Sequence, residues 1–296
     1  MKPVVLEGLM GTDSQVSQLR RKKILSGLKQ QNGFPQIMGI INVTSDSFFE
    51  GSRALKSEEA VKRALEMWAD GATWIDIGGE STRPGADPVD EKTEAERVVP
   101  VISALRKSNP TGLISIDTRN ASVAKKALEA GADMVNDVSG LRDQKMVNAV
   151  LDWGAAVCIM HMQGEPGTMQ EKPHYEDCVE EVRNYLAKQS SLLTERSHPH
   201  ELIVLDPGIG FGKDEEHNIA LLNAGKTINT KPTGSLLWGV SRKRIIGQLT
   251  QQEKADDRLA GTLGIAAIAV AKGVDILRVH DVRAHVDLFA AMKPFL

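Results

Sequence analysis

The stretch Gly71-Ala-Thr-Trp-Ile-Asp-Ile-Gly-Gly-Glu80 contains the pattern that decides the fold of this 296-residue chain. It opens with a glycine, which suits the C-terminus of the helix predicted before it. A short, mostly apolar strand follows, and the stretch ends in a polar turn. The same order of a helix, Gly, Ala or Val, and Asp or Thr before a strand recurs at residues 131–133 and 273–275. The chain therefore repeats a unit made of one helix and one strand.

Eight such strands can be predicted, and several are apolar at both even and odd positions, as expected for parallel strands buried on both faces. They are residues 37–42, 73–77, 113–117, 134–138, 156–161, 202–206, 235–240 and 275–279. Helices are predicted between them, for example at 57–68 with Ser57 as its N-cap, at 120–130 and at 256–272. Eight units in one run predict an α/β fold with a single (β/α)8 TIM barrel over residues 37–296. A doubly wound open sheet is the alternative.

Residues 1–36 differ in charge from the rest of the chain. They contain six Lys or Arg and two Asp or Glu, hence a charge of +4, which leaves −7 for the remainder of a total of −3. We treat them as a basic N-terminal extension, with a short helix predicted over 15–29. Two interpretations stay open: a segment that covers the bottom of the barrel, and a contact with a partner or an acidic surface.

The composition excludes several classes of function. A near-neutral charge and an aromatic content of 4% give no reason to expect nucleic-acid binding. The longest nearly apolar run, 259–271, is shorter than the roughly 20 residues that span a bilayer, and the N-terminus has no secretory pattern. Two cysteines cannot form a disulfide framework. We therefore expect a cytoplasmic protein without nucleic-acid or membrane partners.

Polar residues end every predicted strand, and barrel active sites lie at these C-terminal ends. A single strand-end Asp often only caps the next helix, but here carboxylates, amides and cations occur together. Carboxylates and an amide suit a heterocycle rich in N–H groups, whereas cations after strands 7 and 8 suit phosphate. The residues are Asn42, Asp117, Asn136, His161, Asp206, Lys243, Arg278 and His280. They predict a barrel enzyme that acts on a phosphorylated heterocycle.

These segments resemble the dihydropteroate synthases, a family of pterin-binding TIM barrels. The resemblance covers residues 37–296 and rests on motifs that occur in the family's order. They are Met38-Gly-Ile-Ile-Asn-Val-Thr-Ser-Asp-Ser-Phe48, Asp76-Ile-Gly-Gly-Glu-Ser-Thr-Arg-Pro-Gly85, Ser115-Ile-Asp-Thr118, Asn136-Asp-Val-Ser-Gly140, Met160-His-Met-Gln-Gly164, Asp206-Pro-Gly-Ile-Gly-Phe-Gly-Lys213, Gly239-Val-Ser-Arg-Lys243 and Arg278-Val-His-Asp-Val282.

The resemblance implies a transferase of folate biosynthesis. It would join 6-hydroxymethyl-7,8-dihydropterin pyrophosphate to p-aminobenzoate, with 7,8-dihydropteroate and pyrophosphate as products. Mg²⁺ is the implied cofactor, a homodimer the implied assembly, and sulfonamides the implied competitors of p-aminobenzoate. The implied reaction is a dissociative substitution in which pyrophosphate leaves before the amine attacks.

The resemblance also implies roles for individual residues. The implied pterin-binding residues are Asp117, Asn136, Met160, Asp206 and Lys243. Asn42, Arg278 and His280 would bind pyrophosphate, with Asn42 as the metal ligand. The p-aminobenzoate region would comprise Phe48, Thr82, Arg83, Pro84, Phe211 and Arg244. The implied catalytic residues are Asp46, Lys243, Arg278 and His280.

The chain departs from the family pattern at two positions. Ser45 stands where the family usually has proline, which frees the backbone of the first loop. Arg244 stands where it usually has serine, and its cation can meet the benzoate carboxylate or point to solvent. Two other functions stay open: a methyltetrahydrofolate-binding methyltransferase domain, which needs no pyrophosphate site, and a catalytically silent pterin-binding protein.

Overall fold

The computed structural model describes residues 14–43, 50–80, 89–164, 167–230 and 234–296. Eight parallel strands form a closed barrel in chain order, and the last strand pairs with the first. The strands are β1 (Gln36–Asn42), β2 (Trp74–Gly78), β3 (Leu113–Asp117), β4 (Met134–Asp137), β5 (Ala156–Met160), β6 (Ile203–Asp206), β7 (Ser235–Trp238) and β8 (Ile276–Val279). This confirms the predicted TIM barrel and excludes the open sheet, which would leave two edge strands.

Ten α-helices occur within the described residues. They are α1 (Ser14–Gly27), α2 (Glu50–Ala69), α3 (Glu91–Ser108), α4 (Ala121–Glu129), α5 (Gln144–Trp153), α6 (Cys178–Thr194), α7 (Glu215–Ala224), α8 (Arg244–Thr250), α9 (Leu259–Ala271) and α10 (Val282–Met292). None of these helices is long and apolar enough to cross a membrane.

Two predicted helix starts were wrong. Ser57 is not an N-cap, because α2 begins seven residues earlier, at Glu50. The intervening Ala54, Leu55 and Lys56 are strong helix formers, which a capping signal alone does not override. The helix predicted from 256 begins as a 3₁₀ turn, Ala255–Arg258, and becomes α-helical only at Leu259.

The interior of the barrel is apolar at the bottom and polar at the top. The lower layer contains Met38, Trp74, Met134 and Cys158, all of them buried. Side chains two residues further along a strand point to the same side, so Asp76 lies above Trp74. Asn136, Met160, Asp206 and Arg278 lie in the same way above apolar residues of their own strands, and Asp117 lies above Ser115 and Leu113. The alternation therefore places the polar residues in one upper layer.

The recurring Gly-X-Asp sequence connects neighbouring strands at the bottom edge. Asp133, just before β4, accepts a hydrogen bond from the backbone N of Ile114 at 2.9 Å. Asp275, just before β8, does the same for Leu236 at 2.9 Å. Each carboxylate satisfies a backbone donor at the start of the preceding strand, where the ladder has not yet begun. The pattern seen in the sequence thus has a structural role.

Helix α1 covers the bottom of the barrel. Ile24 and Leu28 are buried in the same apolar cluster as Trp74 and Met134. The indole of Trp74 donates to the backbone O of Gly27 at 2.7 Å, and Arg20 pairs with the buried Asp133. Of the two interpretations of the extension, the structure thus shows the first for residues 14–36. These residues share the core of the barrel.

Candidate active site

The upper layer of the barrel contains a connected set of buried charged and polar side chains. Arg278 on β8 lies at its centre: Nε donates to Oδ2 of Asp76 at 2.6 Å, and Nη2 donates to Oδ2 of Asp117. Asn136 donates from Nδ2 to the same Asp76 oxygen at 3.1 Å. The structure therefore brings together three residues that sequence reasoning had placed in the site, and joins them through a fourth, Asp76.

Sequence reasoning missed Asp76, which is completely buried in the middle of β2. Its Oδ1 is also buried and has no hydrogen-bond partner within the described residues. A signal was available: a charged residue on a strand that is otherwise apolar on both faces has to be paired inside the barrel. A prediction from polar strand ends does not include Asp76, because it lies in the middle of its strand.

Burial and ion pairing set the charges of this upper layer. Burial raises the pKa of Asp117 to about 7, although the nearby Arg278 opposes the rise. Burial would lower the pKa of Arg278, but Asp76 and Asp117 together raise it above its ordinary value. The arginine is therefore a fixed cation, whereas Asp117 can change charge near neutral pH.

Asp206 and Lys243 lie nearby and act on each other electrostatically. Burial raises the pKa of Asp206. Two groups oppose this rise: the charge of Lys243, and the backbone N of Gly208, which donates to the carboxylate at 2.7 Å. Burial lowers the pKa of Lys243 to about 8, against the effect of Asp206. Lys243 donates to the backbone O of Ile209 at 2.6 Å and lies 4.3 Å from the centre of the Phe211 ring. The loop after β6 is thus connected to the first residues after β7.

His280, just after β8, is held by Ser241. The Ser241 hydroxyl oxygen accepts from the backbone N of His280 at 3.2 Å and lies 3.0 Å from the Nδ1 of the same residue. The hydroxyl keeps its own proton, which it can donate to Nδ1. In that tautomer the neutral ring carries its proton on Nε2, which suits donation to an anion.

Asn42 ends β1 next to Gly78 of β2, which is paired on its other side with Asp117 of β3. A Cβ placed on Gly78 would lie 3.8 Å from Oδ1 of Asn42 and 3.5 Å from Cβ of Asp117. Asn42 is exposed, so its amide oxygen is available at the mouth of the barrel.

Met160 is buried at the end of β5, in one apolar cluster with Val138 and Met162 against which Phe211 packs.

Arg244 is not part of this connected set: it is exposed at the first residue of α8. Five predicted residues lie outside the described residues, as does Ser45: Asp46, Phe48, Thr82, Arg83 and Pro84.

The described residues contain no cluster of three or more His, Cys, Asp or Glu side chains that could hold a metal by themselves. One exposed amide oxygen at Asn42 is the kind of ligand that Mg²⁺ takes when substrate phosphates and waters supply the rest. The donor set is therefore compatible with Mg²⁺ that is bound mainly through a substrate. It does not resemble a zinc site, which needs several His or Cys ligands.

Comparison with known proteins decides the family. A family model described as "Pterin binding enzyme" matches residues 38–280. The dihydropteroate synthase of Escherichia coli K12 is 40% identical over 275 residues, which cover 93% of this chain and 96% of the relative. The chain belongs to the dihydropteroate synthase family. The family member from Synechocystis is 44% identical over 250 residues, or 84% of this chain and 86% of the relative.

Solved structures of family members have the same fold. Xanthomonas albilineans dihydropteroate synthase, solved with 4-aminobenzoic acid, has a TM-score of 0.81 and 38% identity, covering 90% of this chain and 94% of that one. The Burkholderia cenocepacia enzyme, complexed with 7,8-dihydropteroate, has a TM-score of 0.79 and 40% identity, covering 88% and 91%. The Yersinia pestis enzyme, in a sulfonamide complex, has a TM-score of 0.82 and 38% identity, covering 91% and 97%. These dihydropteroate synthases match the chain over most of its length.

Proposed function

We propose that this protein is a dihydropteroate synthase, a transferase that joins 6-hydroxymethyl-7,8-dihydropterin pyrophosphate to p-aminobenzoate. The observation that carries the proposal is the buried set around Arg278, in which Asp76, Asp117 and Asn136 meet at the C-terminal end of the barrel. This end is where the barrel fold places its active sites. Family members that bind 4-aminobenzoic acid and 7,8-dihydropteroate support the choice of substrates.

The pterin ring would bind through N–H groups to the carboxylates of Asp117 and Asp206. Asn136 already gives one Nδ2 hydrogen to Asp76, so its Oδ1 is oriented away from that carboxylate and can accept from the ring. Lys243 would donate to a ring acceptor, and Met160 would provide an apolar surface. Hydrogen bonds from the ring favour the ionised form of Asp117, against the burial that raises its pKa.

The ring and Arg278 would compete for Asp117. In the structure, the guanidinium is bound to Asp117 through Nη2 and to Asp76 through Nε. When a ring N–H takes the place of Nη2, this nitrogen becomes available to the pyrophosphate, while Nε stays on Asp76. His280, with its proton on Nε2, would bind the same anion. These two donors stabilise the charge that develops on the leaving group.

Mg²⁺ would be held by Asn42 and would supply further charge neutralisation to the pyrophosphate. The protein's own residues favour the dissociative course by acting on the pterin, the group from which pyrophosphate leaves. Three carboxylates of the upper layer, Asp76, Asp117 and Asp206, outnumber its two cations Arg278 and Lys243. When all are ionised, this set is negative, which stabilises positive charge on the pterin. Asp46 would add to this effect, and no side-chain nucleophile is required.

The loops after β1 and β2 would complete the p-aminobenzoate region with Phe48, Thr82, Arg83 and Pro84. Phe211 and Arg244 would approach the same substrate from the loops after β6 and β7. Sulfonamides would compete there, and the Yersinia pestis family member solved with a sulfonamide supports this.

A homodimer through α9 is the assembly that we propose. One face of this helix packs inward through Thr262, Ala266 and Ala269, while Ile268 is 46% exposed. Ile268→Glu would place a charge in such an interface. Sedimentation velocity is expected to show a dimer for the wild type and a monomer for the variant, and identical sedimentation would exclude this interface.

A cytoplasmic location is proposed from the free state of both buried cysteines.

The enzymatic proposal is tested with purified protein, the pterin pyrophosphate, p-aminobenzoate and Mg²⁺. Release of pyrophosphate is expected to depend on the amine and to match the dihydropteroate formed. Binding of the pterin without turnover would instead indicate a silent pterin-binding protein. Methyl transfer from methyltetrahydrofolate without pyrophosphate release would indicate the methyltransferase class. Arg278→Met is expected to lower kcat/KM by about 10²-fold or more, because a charged hydrogen bond to the leaving group is lost.

A further inference from the structure

Lys213 is a buried lysine that the proposed reaction does not use. It follows the glycine-rich loop after β6 and is 3% exposed. Its Nζ lies 3.0 Å from Nδ1 of His161, 2.9 Å from the backbone O of Phe211 and 3.4 Å from the backbone O of His161. An ammonium group has three hydrogens, so each of them has one acceptor. These acceptors belong to two loops, one after β5 and one after β6.

The contacts around Lys213 fit its charged form. A neutral amine would direct a lone pair at one of three acceptors, whereas the ammonium satisfies all of them. His161 must then accept at Nδ1, and its ring stays neutral because burial and the charge of Lys213 lower its pKa to about 3. The pKa of Lys213 is lowered to about 7, mainly by burial and also by the charge of Lys243. Cys178 and Asp206 act in the opposite direction.

The two loops are in close contact at the position that Lys213 connects. Gly208 and Gly212 have φ angles of +70° and +60°. A Cβ on Gly208 would lie 1.8 Å from the backbone O of His161, and one on Gly212 would lie 2.4 Å from the backbone O of Gln163. The hydroxyl of Tyr175 adds a further connection by donating to the backbone O of Gly212 at 2.8 Å. The backbone around Phe211 is therefore held from several sides.

Phe211 is the residue whose position these contacts determine. Lys213 holds its carbonyl group, and its backbone N donates to the O of Gly208 at 3.0 Å. Its ring lies 4.3 Å below the Nζ of Lys243. A shift of this loop would move the ring relative to Lys243, and so change the wall against which an aromatic amine would pack.

We propose that Lys213 is a positioning residue for the amine substrate: by connecting the loops after β5 and β6, it fixes the Phe211 ring against which p-aminobenzoate binds. The proposal rests on the proposed synthase function, but it assigns to this lysine no contact with either substrate. It predicts a larger effect on the amine substrate than on the pterin, because Asp117, Asn136 and Arg278 lie on other strands and remain in place. Of the proposed pterin-binding residues, Asp206 and Lys243 also contact this loop.

The test compares Lys213→Met with Lys29→Met. Lys29 is a partly buried lysine at the other end of the barrel, where it donates to the backbone O of Gly234, and burial lowers its pKa as well. Steady-state kinetics and thermal unfolding would be measured for both variants and the wild type. Lys213→Met is expected to raise KM for p-aminobenzoate about tenfold and to change KM for the pterin pyrophosphate by less than about twofold. Lys29→Met is expected to change neither constant.

An equal rise in both constants, or no rise in either, would overturn the proposal. If Lys213→Met does not fold, Tyr175→Phe tests the same loop more gently, with an expected rise of about threefold in KM for p-aminobenzoate alone. An unchanged value in that variant would also overturn the proposal. Failure of the synthase function is recognised separately, since the wild type would then release no pyrophosphate in response to the amine.

Discussion

Asp76 and Arg278 form a buried ion pair in the centre of the barrel, with Oδ2 and Nε separated by 2.6 Å. The same carboxylate oxygen accepts from Asn136 at 3.1 Å. One group thus orients both a residue proposed to bind the pterin and a residue proposed to bind the pyrophosphate. Breaking a buried ion pair by neutralising one partner leaves an uncompensated charge, which typically costs about 3–5 kcal/mol.

Asp76→Asn is therefore expected to impair the use of the pterin substrate. We expect kcat/KM for the pterin pyrophosphate to fall by about 10²-fold and product inhibition by pyrophosphate to weaken, as measured by initial rates. Asp133→Asn is the matched control, because Asp133 is equally buried and is paired with Arg20 and Arg106 at the bottom of the barrel. It should lower the melting temperature and leave both KM values unchanged. If the two variants behave alike, Asp76 contributes only to stability.

Asp117 is expected to make kcat/KM fall as the pH drops below neutral, which gives the pH profile an acidic limb. Burial raises its pKa to about 7, and the carboxylate has to be ionised to accept from the ring without donating a proton of its own. The ionised fraction therefore falls about tenfold per pH unit below the pKa, and kcat/KM for the pterin pyrophosphate falls with it. A pH profile from 5.5 to 9, about the range of ordinary assays, checks this. Asp117→Asn should have a lower, flatter profile, and an unchanged limb in the variant would assign it to another group.

The sequence was sufficient for the barrel and for most of the upper layer, because strand periodicity and polar strand ends are local features. Asp117, Asn136, Asp206 and Arg278 could be placed there from their positions at the C-terminal ends of the predicted strands. The ion pair between Asp76 and Arg278 could not, since it depends on which side chains meet across the barrel, 202 residues apart in sequence. Lys213 was missed for the same reason: its acceptors include His161, which belongs to another loop.

Arg244→Ser tests whether the Arg244 side chain contacts the substrate or only lies on the protein surface. Arg244 is exposed at the first residue of α8, and a cation at a helix N-terminus is unfavourable by about 0.3–1 kcal/mol. The serine variant should thus be slightly more stable. If the guanidinium meets the benzoate carboxylate, KM for p-aminobenzoate should rise about threefold or more. Lys254→Ser removes an exposed lysine on a neighbouring turn as a control, and equal KM values in all three proteins would exclude the contact.

Leu28→Ala is expected to show that α1 stabilises the barrel without taking part in the reaction. Leu28 is completely buried in the bottom cluster with Trp74 and Met134, so truncating it leaves a cavity and should cost about 2–5 kcal/mol. Leu19→Ala, within α1 and 50% exposed, should change stability by less than about 0.5 kcal/mol, whereas Leu28 directly follows the end of this helix. Urea unfolding gives both values, and KM for each substrate should be unchanged in the folded variants. A shift in KM without loss of stability would instead connect the bottom of the barrel to the site, across the whole length of the strands.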